Sequence, residues 1–366
     1  MFFDGAYRGK KVFLTGHTGF KGSWLLSLLN MAGAEVMGYS LAPKPEHKLF
    51  GYIKGETLCQ SHFQNILDYP ALNKCILEFQ PDFVFHLAAQ PLVRYSYENP
   101  LETFNVNILG TAHILDVLRR LSKPCVAVII TTDKVYYNQE SDKPYRETDR
   151  LGGYDPYSSS KACAELIIDA YRNSYFNEAY FPDHKKTVVA VRAGNVIGGG
   201  DWAKDRILPD IIQSLENDEP IIVRSPKSVR PWQHVLEPTH AYLLLAKKLA
   251  EEPGSFHTEY NFGPELSDCL PVVEMVKYAL EIWKKGSYQI LPQKNGPHEA
   301  GLLKLDISLA KKDLNWRPIY NAFEALETTI NWYKSFTGGN ACELIKENIE
   351  SFMENYYLTH GKTKPT

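Results

Sequence analysis

The chain has 366 residues, of which 44% are hydrophobic and 23% charged, and its formal net charge at pH 7 is -3. This is ordinary globular composition, and the length favours two lobes over one compact core. The weak net charge gives no reason to expect nucleic acid or an anionic membrane as a partner. Any anionic ligand must therefore be held by local basic groups and backbone amides.

The cysteines, the histidines and the distribution of apolar residues indicate the compartment and bear on metal binding and membrane insertion. The six cysteines are scattered and include no C-x-x-C pair, which is typical of a reducing compartment. The eleven histidines form no pair at metal-ligand spacing, so no metal site is expected. Residues 1–11 have no apolar signal-peptide core, and no run of about 18 apolar residues occurs. We expect a cytoplasmic protein.

Short apolar or β-branched runs alternate with longer stretches that carry apolar residues at helical spacing. In chain order the pattern predicts strand 11–15, helix 23–32, strand 35–41, a weaker strand 62–67, helix 70–79, strand 82–87, helix 106–120, strand 126–132, helix 159–172 and strand 187–192. The apolar runs are typical of strands buried on both faces. This alternation predicts an α/β fold built on a doubly wound parallel sheet of the Rossmann type.

The alternation weakens near the glycines 198–200, which predict a flexible loop. We expect residues 1–195 to form a dinucleotide-binding domain, with parts of 235–262 returning to it. Residues 196–366 are expected to form a smaller mixed α/β lobe that binds the substrate over the carboxyl ends of the strands. The final stretch, 341–357, predicts one amphipathic helix.

Three glycines lie between the first strand and the first helix, in the segment TGHTGFKGSW. Glycine permits a tight turn and lets a diphosphate approach the helix N-terminus, where free N–H groups attract anions. An ordinary tight turn is the alternative, but the strand–turn–helix context favours a dinucleotide site. The candidate cofactor-binding residues of this turn are Gly16, His17, Gly19, Phe20, Lys21 and Gly22.

The end of the second strand bears on the choice of cofactor. The acidic residue that often holds the adenosine ribose there is missing, and Ser40 stands at about that position. No arginine follows closely, although Lys44 and Lys48 do, so NAD is favoured over NADP. The spacing G-x-x-G-x-x-G resembles that of the extended short-chain dehydrogenase/reductase group.

Tyr157 and Lys161 form Y-x-x-x-K in the segment DPYSSSK. On a helix these positions share one face. The lysine ammonium can stabilise tyrosinate and lower a pKa that starts near about 10, so we expect Tyr157 to be a usable base at neutral pH. A surface Tyr/Lys pair is the alternative.

The fifth strand ends in Thr131, Thr132, Asp133 and Lys134. Thr132 is placed to bond a sugar hydroxyl or the phenol of Tyr157. Asp133 and Lys134 bring two titratable groups to the same strand end, where a partly dry pocket can split acid and base roles between them. A solvated turn with an incidental ion pair is the alternative.

The fourth strand ends at the segment Leu87, Ala88, Ala89 and Gln90. The small residues here leave room for the nicotinamide-ribose side of a cofactor. Gln90 is a candidate substrate contact.

Three further residues are candidates for the cofactor. Asn65 and Ile66 follow the third strand and could meet adenine, although Asn65 also suits a plain buried strand end. Asn107 either supports Lys161 or simply caps and packs its own helix, and the sequence leaves both interpretations open.

These motifs together resemble the CDP-glucose 4,6-dehydratase family. The similarity runs from about Gly9 to Pro318, through TGHTGFKGSW, HLAAQPLVRYSYENP, TTDKVY, DPYSSSK, RAGNVIGGGDWAKDRILPDII and RPWQHVLEP, of which the last two are the most specific. It implies NAD as cofactor and a CDP-hexose as substrate. It also implies a homodimer or homotetramer, built by pairing helices 106–120 and 159–172 across a two-fold axis.

The resemblance implies three linked steps at one site. Tyr157 removes the C4 hydroxyl proton as a hydride passes from C4 to NAD; a base then takes the C5 proton while the C6 hydroxyl leaves with a proton from an acid; the hydride returns to C6. Related dehydratases mostly carry Asp-Glu after the threonine, whereas this chain carries Asp133-Lys134. We assign Asp133 as the acid and Lys134 as the C5 base, which must be neutral for part of its cycle.

The same resemblance places the nucleotide diphosphate on Asn195, Arg206 and Arg230, since an arginine fork suits phosphate oxygens. An ordinary surface arginine is the alternative for each. His17 is bulkier than the residue common at its position, and we expect that bulk beside the diphosphate turn to loosen cofactor binding.

Three other functions fit parts of the pattern. A nucleotide-sugar 4-epimerase uses the same Tyr/Lys pair but needs no acid and base for elimination. A dehydratase of a GDP- or dTDP-hexose differs only in its nucleotide. A redox-sensing regulator binds dinucleotide without turnover and usually lacks the Tyr/Lys pair, which this chain keeps.

Overall fold

The structure is a computed structural model that describes residues 2–44, 48–203, 206–291 and 301–361. Its strands in chain order are β1 (Lys11–Thr15), β2 (Glu35–Ser40), β3 (Gln60–Phe63), β4 (Phe83–His86), β5 (Cys125–Ile130), β6 (Lys186–Ala193), β7 (Val196–Ile197), β8 (Ile221–Val223), β9 (Val229–Pro231), β10 (Gln233–His234), β11 (Glu259–Phe262), β12 (Cys269–Pro271) and β13 (Tyr288–Ile290). Its α-helices are α1 (Phe20–Met31), α2 (Leu49–Tyr52), α3 (Tyr69–Phe79), α4 (Val93–Glu98), α5 (Pro100–Phe104), α6 (Gly110–Arg120), α7 (Pro156–Tyr175), α8 (Phe181–His184), α9 (Ile207–Glu216), α10 (Leu236–Glu251), α11 (Val272–Trp283), α12 (Ser308–Leu314), α13 (Ala322–Ser335) and α14 (Ala341–Thr359).

Seven parallel strands form the central sheet, in the order β11-β6-β5-β4-β1-β2-β3. The chain builds one half outward from β1 through β2 and β3, then crosses to β4 and builds the other half. The strand order therefore reverses between β1 and β4. In open sheets of this kind ligands bind in the crevice beyond the carboxyl ends of the strands at such a reversal.

The predicted doubly wound Rossmann-type sheet is confirmed, and all six predicted strands lie in it. The weak third strand begins two residues earlier than predicted, and β5 stops at Ile130, before its threonines. The helix predicted from residue 159 begins at Pro156, because the Asp155 side chain caps it by accepting a hydrogen bond from the Ser158 N–H, 3.0 Å away.

Alternate residues of the central strands pack into two separate apolar cores, one on each face of the sheet. Val12 and Leu14 of β1 face one core with α1, α10 and α14, whereas Phe13 faces the other with α3, α6 and α7. Since helices cover both faces, most residues of the central strands are buried, except in the edge strand β3. This explains why the strands are continuous apolar runs rather than alternating ones.

The second half of the chain adds three small two-stranded sheets, β7–β10, β9–β12 and β8–β13, with α9, α11 and α13. From this half α10 packs on β5 and β6, and β11 joins the central sheet beside β6. The C-terminal helix α14 packs against α1, α2 and α13. Among the described helices, none combines the length and apolarity needed to cross a bilayer.

The glycines 198–200 are buried, and the flexible loop predicted there is wrong. A Cβ at Gly199 would lie 2.0 Å from the Trp332 ring, and the Trp24 indole N–H donates to the Gly199 carbonyl over 3.0 Å. Gly200 has a φ of +84°. These glycines therefore let the chain pass between two tryptophans.

Glu237 is a fully buried carboxyl group that should make stability depend on pH. One oxygen accepts from the Ile319 and Tyr320 N–H groups, at 2.9 and 2.8 Å, and the other has no partner among the described residues. Burial raises its pKa from 4.5 to about 8. A raised pKa means that the folded state holds a proton which the unfolded state releases, so its stabilising contribution is lost as pH rises from about 4.5 to about 8.

Glu237→Gln should therefore remove a pH-dependent loss on the order of 3 kcal/mol between pH 5 and pH 8.5. Urea unfolding of both proteins at the two pH values measures this. The free energy of unfolding should fall further in the wild type than in the variant, and equal falls would show that the carboxyl group does not titrate as inferred.

Candidate active site

A cleft of about 1580 Å³ lies along the carboxyl ends of the central strands. One wall comes from the glycine turn after β1 and from the residues that follow β4 and β5. The other comes from residues 193–232, including the start of α9 and strand β9. The cleft thus occupies the position that the sheet topology marks for ligands.

The glycine turn leaves no space for a side chain at Gly16 or Gly22. Gly16 has a φ of +72°, and a Cβ there would lie 2.8 Å from the Ala88 nitrogen. A Cβ at Gly22 would lie 2.0 Å from the Gly16 carbonyl oxygen. Gly19, which lines the cleft, precedes α1 and caps it with no side chain. The first-turn N–H groups of α1 are therefore left to an anionic ligand.

The His17 side chain points away from the cleft into the sheet edge. Its Nε2 lies 3.1 Å from the Ser61 hydroxyl, and its ring fills the space where a Cβ of Gly38 would be, 2.5 Å from that position. Burial lowers the pKa of His17 to about 4, so the ring is neutral. The expectation that its bulk crowds the diphosphate turn has no steric support here, because Gly38 provides the room.

Lys21 lines the cleft at the start of α1. Its ammonium lies 3.4 Å from the Tyr242 hydroxyl. Burial, followed by the neighbouring Arg206 and Lys161, lowers the pKa of Lys21 to about 7. Its positive charge is therefore poorly compensated in the protein alone, which suits a site for an anionic group. Phe20 beside it also lines the cleft.

Tyr157 and Lys161 both face the cleft from the first two turns of α7. The Tyr157 phenol lies beside the Thr132 side chain, which acts to lower its pKa, and the Lys161 ammonium donates to the Ile130 carbonyl over 3.2 Å. Burial lowers the pKa of Lys161 to about 8. Burial also raises the pKa of Tyr157 to about 12. The predicted lowering of the tyrosine pKa is wrong for the protein alone, because desolvation outweighs the effects of Thr132 and Arg206, which act to lower it.

The tip of β5 carries the predicted acid–base pair. The Thr132 hydroxyl and the Lys134 ammonium both donate to one oxygen of Asp133, at 2.9 and 3.1 Å. Asp133 is fully buried, and its second oxygen has no partner among the described residues. The Lys134 side chain is one-quarter exposed and lines the cleft. The alternative of a solvated turn is wrong, because the Asp133 carboxylate is buried behind the cleft wall and the Lys134 amine forms part of that wall.

A buried network beneath this tip was not predicted. The Thr131 hydroxyl donates to Glu165 over 2.6 Å, and the Arg192 Nε donates to both Glu165 oxygens at 2.9 and 3.0 Å. Arg192 also donates to the Tyr136 hydroxyl over 2.8 Å. Glu165 lies four residues after Lys161, on the same helical face, and that spacing was the available signal. The network fixes the strand end on which Thr132 stands.

The residues that follow β4 line the cleft, but the side chain of one of them is held by hydrogen bonds to its neighbours. Leu87, Ala88 and Ala89 line the cleft. Gln90 also lines it, but its side chain is hydrogen-bonded to Leu92 and Thr103.

Asn107 holds this loop from behind. Its oxygen accepts from the Gln90 N–H over 2.8 Å, and its amide donates to the Ser160 hydroxyl over 2.8 Å. It is absent from the cleft lining and makes no hydrogen bond with Lys161 among the described residues. Any effect of Asn107 on a cofactor therefore passes through the loop at Gln90 and the helix at Ser160.

Asn65 and Ile66 line the opposite end of the cleft, close to the end of β2. The Asn65 side chain accepts from the Leu67 N–H over 2.9 Å. Ser40 is hydrogen-bonded to Thr18 over 2.8 Å. The described lining residues from the end of β2, Tyr39 to Ala42 and Lys44, include no carboxylate.

Asn195, Arg206 and Arg230 all line the wall opposite the glycine turn. Arg206 immediately precedes α9 and pairs with Asp201 over 2.8 Å. Arg230 is almost buried and donates to the Val229 carbonyl over 3.0 Å. The Asn195 side-chain oxygen is buried without a partner among the described residues. The wall thus offers two guanidinium groups and an amide to a polar ligand.

The sequence is similar to proteins that modify nucleotide sugars. The family model of GDP-mannose 4,6 dehydratase matches residues 13–329. The CDP-glucose 4,6-dehydratase of Salmonella typhimurium is 46% identical over 348 residues, which cover 95% of this chain and 97% of the relative. The UDP-glucose 4-epimerase of Mycoplasma pneumoniae is 25% identical over 75% of this chain and 82% of that protein.

Solved structures share the fold at lower identity. The dTDP-glucose 4,6-dehydratase of Bacillus anthracis in complex with NAD has a TM-score of 0.75 and 18% identity, covering 92% of this chain and all of that one. The UDP-glucuronic acid 4-epimerase of Bacillus cereus with UDP-glucuronic acid and NAD has a TM-score of 0.75 and 22% identity, covering 88% and 99%. With its model spanning 13–329 and the Salmonella relative matching nearly the whole length, the chain belongs to the family of nucleotide-sugar 4,6-dehydratases that includes CDP-glucose 4,6-dehydratase.

Proposed function

We propose that the protein is an NAD-dependent hydro-lyase, a CDP-glucose 4,6-dehydratase that converts CDP-glucose into CDP-4-keto-6-deoxyglucose. The observation that carries this is the contact of Asp133 with Thr132 and Lys134 beside Tyr157. This contact supports the assignment of an acid and a base beside the group that starts C4 oxidation. The similarity to the Salmonella enzyme over nearly the whole chain supports the choice of CDP-glucose.

The residues of the cleft fit NAD. The glycine turn leaves no space for a Cβ at Gly16 or Gly22 and presents the N-terminus of α1 to a diphosphate. Ala88 and Ala89 leave room for the nicotinamide ribose, and Asn65 with Ile66 would border the adenine. When bound, NAD supplies the hydride acceptor and a positive charge. In this proposal residues 1–195 hold the cofactor and residues 196–366 hold the nucleotide sugar.

Tyr157 removes the proton of the C4 hydroxyl as C4 loses a hydride. A tyrosine is an effective base only when it is ionised, and burial alone opposes ionisation. Lys161 and Arg206 provide positive charge around the phenol, and Arg206 acts to lower the pKa of Tyr157. Thr132, beside the phenol, also acts to lower the pKa of Tyr157.

Elimination follows at C5 and C6. The C4 ketone acidifies the C5–H bond, and Lys134 takes that proton as a neutral amine. Asp133, behind the cleft wall, supplies a proton to the C6 hydroxyl through the Thr132 hydroxyl that contacts it, and the C6 hydroxyl leaves as water. C6 then gains a hydride and C5 regains a proton. The hydride lost at C4 is balanced by the hydride gained at C6. The net change is therefore the loss of the C4 hydroxyl proton and the C6 hydroxyl, which together make one water. The Lys134–Asp133 contact keeps the two groups together on the sugar's C5–C6 side.

We also propose that the protein works as a cytoplasmic homodimer or homotetramer. Large apolar side chains are exposed on the helices expected to pair, with Leu109 at 48% and Leu166 at 58% exposure. All six cysteines are free thiols, as in a reducing compartment. Sedimentation velocity should give at least twice the mass of one chain, and a single-chain mass would contradict the proposed assembly.

Incubation with CDP-glucose and NAD tests the function directly. The product should lack one water by mass and show a 4-keto chromophore in base. A 4-epimerase would leave the mass unchanged, and dTDP- or GDP-glucose turned over in preference to CDP-glucose would assign a different nucleotide. Absence of any change with all of these substrates would contradict the proposal.

A further inference from the structure

An acidic and a basic side chain meet in the cleft wall, apart from the groups assigned to the chemistry. Arg224, which follows β8, pairs with Asp210 of α9 over 3.3 Å. Both residues line the cleft, and their side chains are each about one-third exposed, at 32% and 34%. The pair is therefore within reach of a ligand in the cleft.

Asp210 lies close in the chain to Arg206, one of the residues proposed to bind the diphosphate of the nucleotide sugar. Its N–H donates to the Arg206 carbonyl over 3.1 Å, so Asp210 lies one helical turn after Arg206, the residue that precedes α9. Arg206 is near enough to Tyr157 to act on its ionisation. In the proposed function the wall would run from the reacting sugar at Tyr157, past the diphosphate at Arg206, to Asp210. In a nucleotide sugar the nucleoside follows the diphosphate.

We propose that Asp210 and Arg224 select cytosine by hydrogen bonding to its polar edge, an inference that rests on the proposed function. Cytosine presents an amino donor at N4 beside acceptors at N3 and O2, and carboxylates characteristically accept from N4. Asp210 accepts from the amino group and Arg224 donates to the ring acceptors. Uracil and thymine place a carbonyl oxygen at position 4, which the carboxylate repels.

The surroundings suit a planar ring. Leu208 and Pro209, which directly precede Asp210, line the cleft, as does Val272. Ile222 lines it too and stands two residues before Arg224, on the same side of an extended chain. Apolar groups for the ring faces and a charged pair for its edge are the two requirements for recognising a base.

Asp210→Asn tests the inference, because an amide can donate to the uracil O4 as well as accept from the cytosine N4. The ratio of kcat/KM for CDP-glucose to that for UDP-glucose should fall about 5- to 150-fold relative to the wild type. The matched control is Asp218→Asn, which removes an exposed carboxylate paired with Lys285 and outside the cleft lining. The control should keep the wild-type ratio.

An unchanged ratio in Asp210→Asn would overturn the inference. If that variant turns over neither substrate, calorimetric affinities for CDP and UDP decide, since they need no catalysis; the CDP preference should again fall, and an intact preference would overturn the inference. Failure of the proposed function looks different. In that case the wild type itself converts neither CDP-glucose nor the UDP, dTDP and GDP analogues.

Discussion

Replacing Tyr157 with Phe is expected to lower kcat for CDP-glucose dehydration by about 10²–10⁴-fold, the usual contribution of a general base. The substitution removes only the hydroxyl, which belongs to a buried side chain beside Thr132. Without the phenol the C4 hydroxyl has lost its proposed base, so the reaction stops before the ketone forms. Rapid mixing should show neither a transient NADH absorbance nor the 4-keto product.

The pH profile separates a base from a structural phenol. Since Tyr157 must be ionised to act, the wild-type rate should rise with pH on the limb governed by the tyrosine, and that limb should vanish in Tyr157→Phe. Tyr154→Phe is the matched control, because Tyr154 lines the same cleft three residues earlier but is 77% exposed. Wild-type activity in Tyr157→Phe would remove the phenol from the mechanism.

Replacing Lys134 with Gln is expected to leave C4 oxidation intact and to abolish solvent-deuterium incorporation at C5. Glutamine can still donate a hydrogen bond to Asp133, so the buried carboxylate keeps a partner, but an amide cannot take a proton. In D₂O the wild type should place deuterium at C5 of the product. The variant should form NADH and the C4 ketone and then stall, with overall turnover reduced about 10²–10⁴-fold.

Lys285→Gln is the control, because it breaks a comparable lysine–aspartate pair, Lys285 with Asp218, outside the cleft lining. Its turnover and its C5 label should match the wild type. Normal deuterium incorporation at C5 in Lys134→Gln would reject Lys134 as the base, and Asp133 would then have to serve C5 itself.

The sheet could be predicted from sequence because burial on both faces leaves little choice of residue. Strand β5 is apolar along its whole length and β4 and β6 are mostly apolar, and the helices between them carry apolar residues at helical spacing. The ends of elements depend on single side chains, as with Asp155, which begins α7 three residues early. Glycines 198–200 were mistaken for a flexible loop, since the tryptophan that packs on them comes more than 130 residues later.

The candidate site was predictable where spacing along one element places two groups together. Tyr157 and Lys161 are one helical turn apart, and Thr132 to Lys134 follow a single strand. Properties that depend on partners from elsewhere in the chain were missed. His17 turns away because Gly38 leaves it room.

The buried Glu165–Arg192 pair joins α7 to β6 across 27 residues. The raised pKa of Tyr157 reflects how deeply the folded chain buries the phenol. Both depend on tertiary burial, which spacing along one element does not reveal.

The fate of the C4 hydrogen tests most directly whether one hexose meets Tyr157, Lys134 and the nicotinamide in one cleft. CDP-glucose carrying deuterium at C4 is converted in ordinary water, and the product is examined by NMR. We expect the deuterium at C6 of a 4-keto-6-deoxy product, transferred within the same molecule. Deuterium retained at C4, or a C6 methyl group without it, would contradict the proposed reaction.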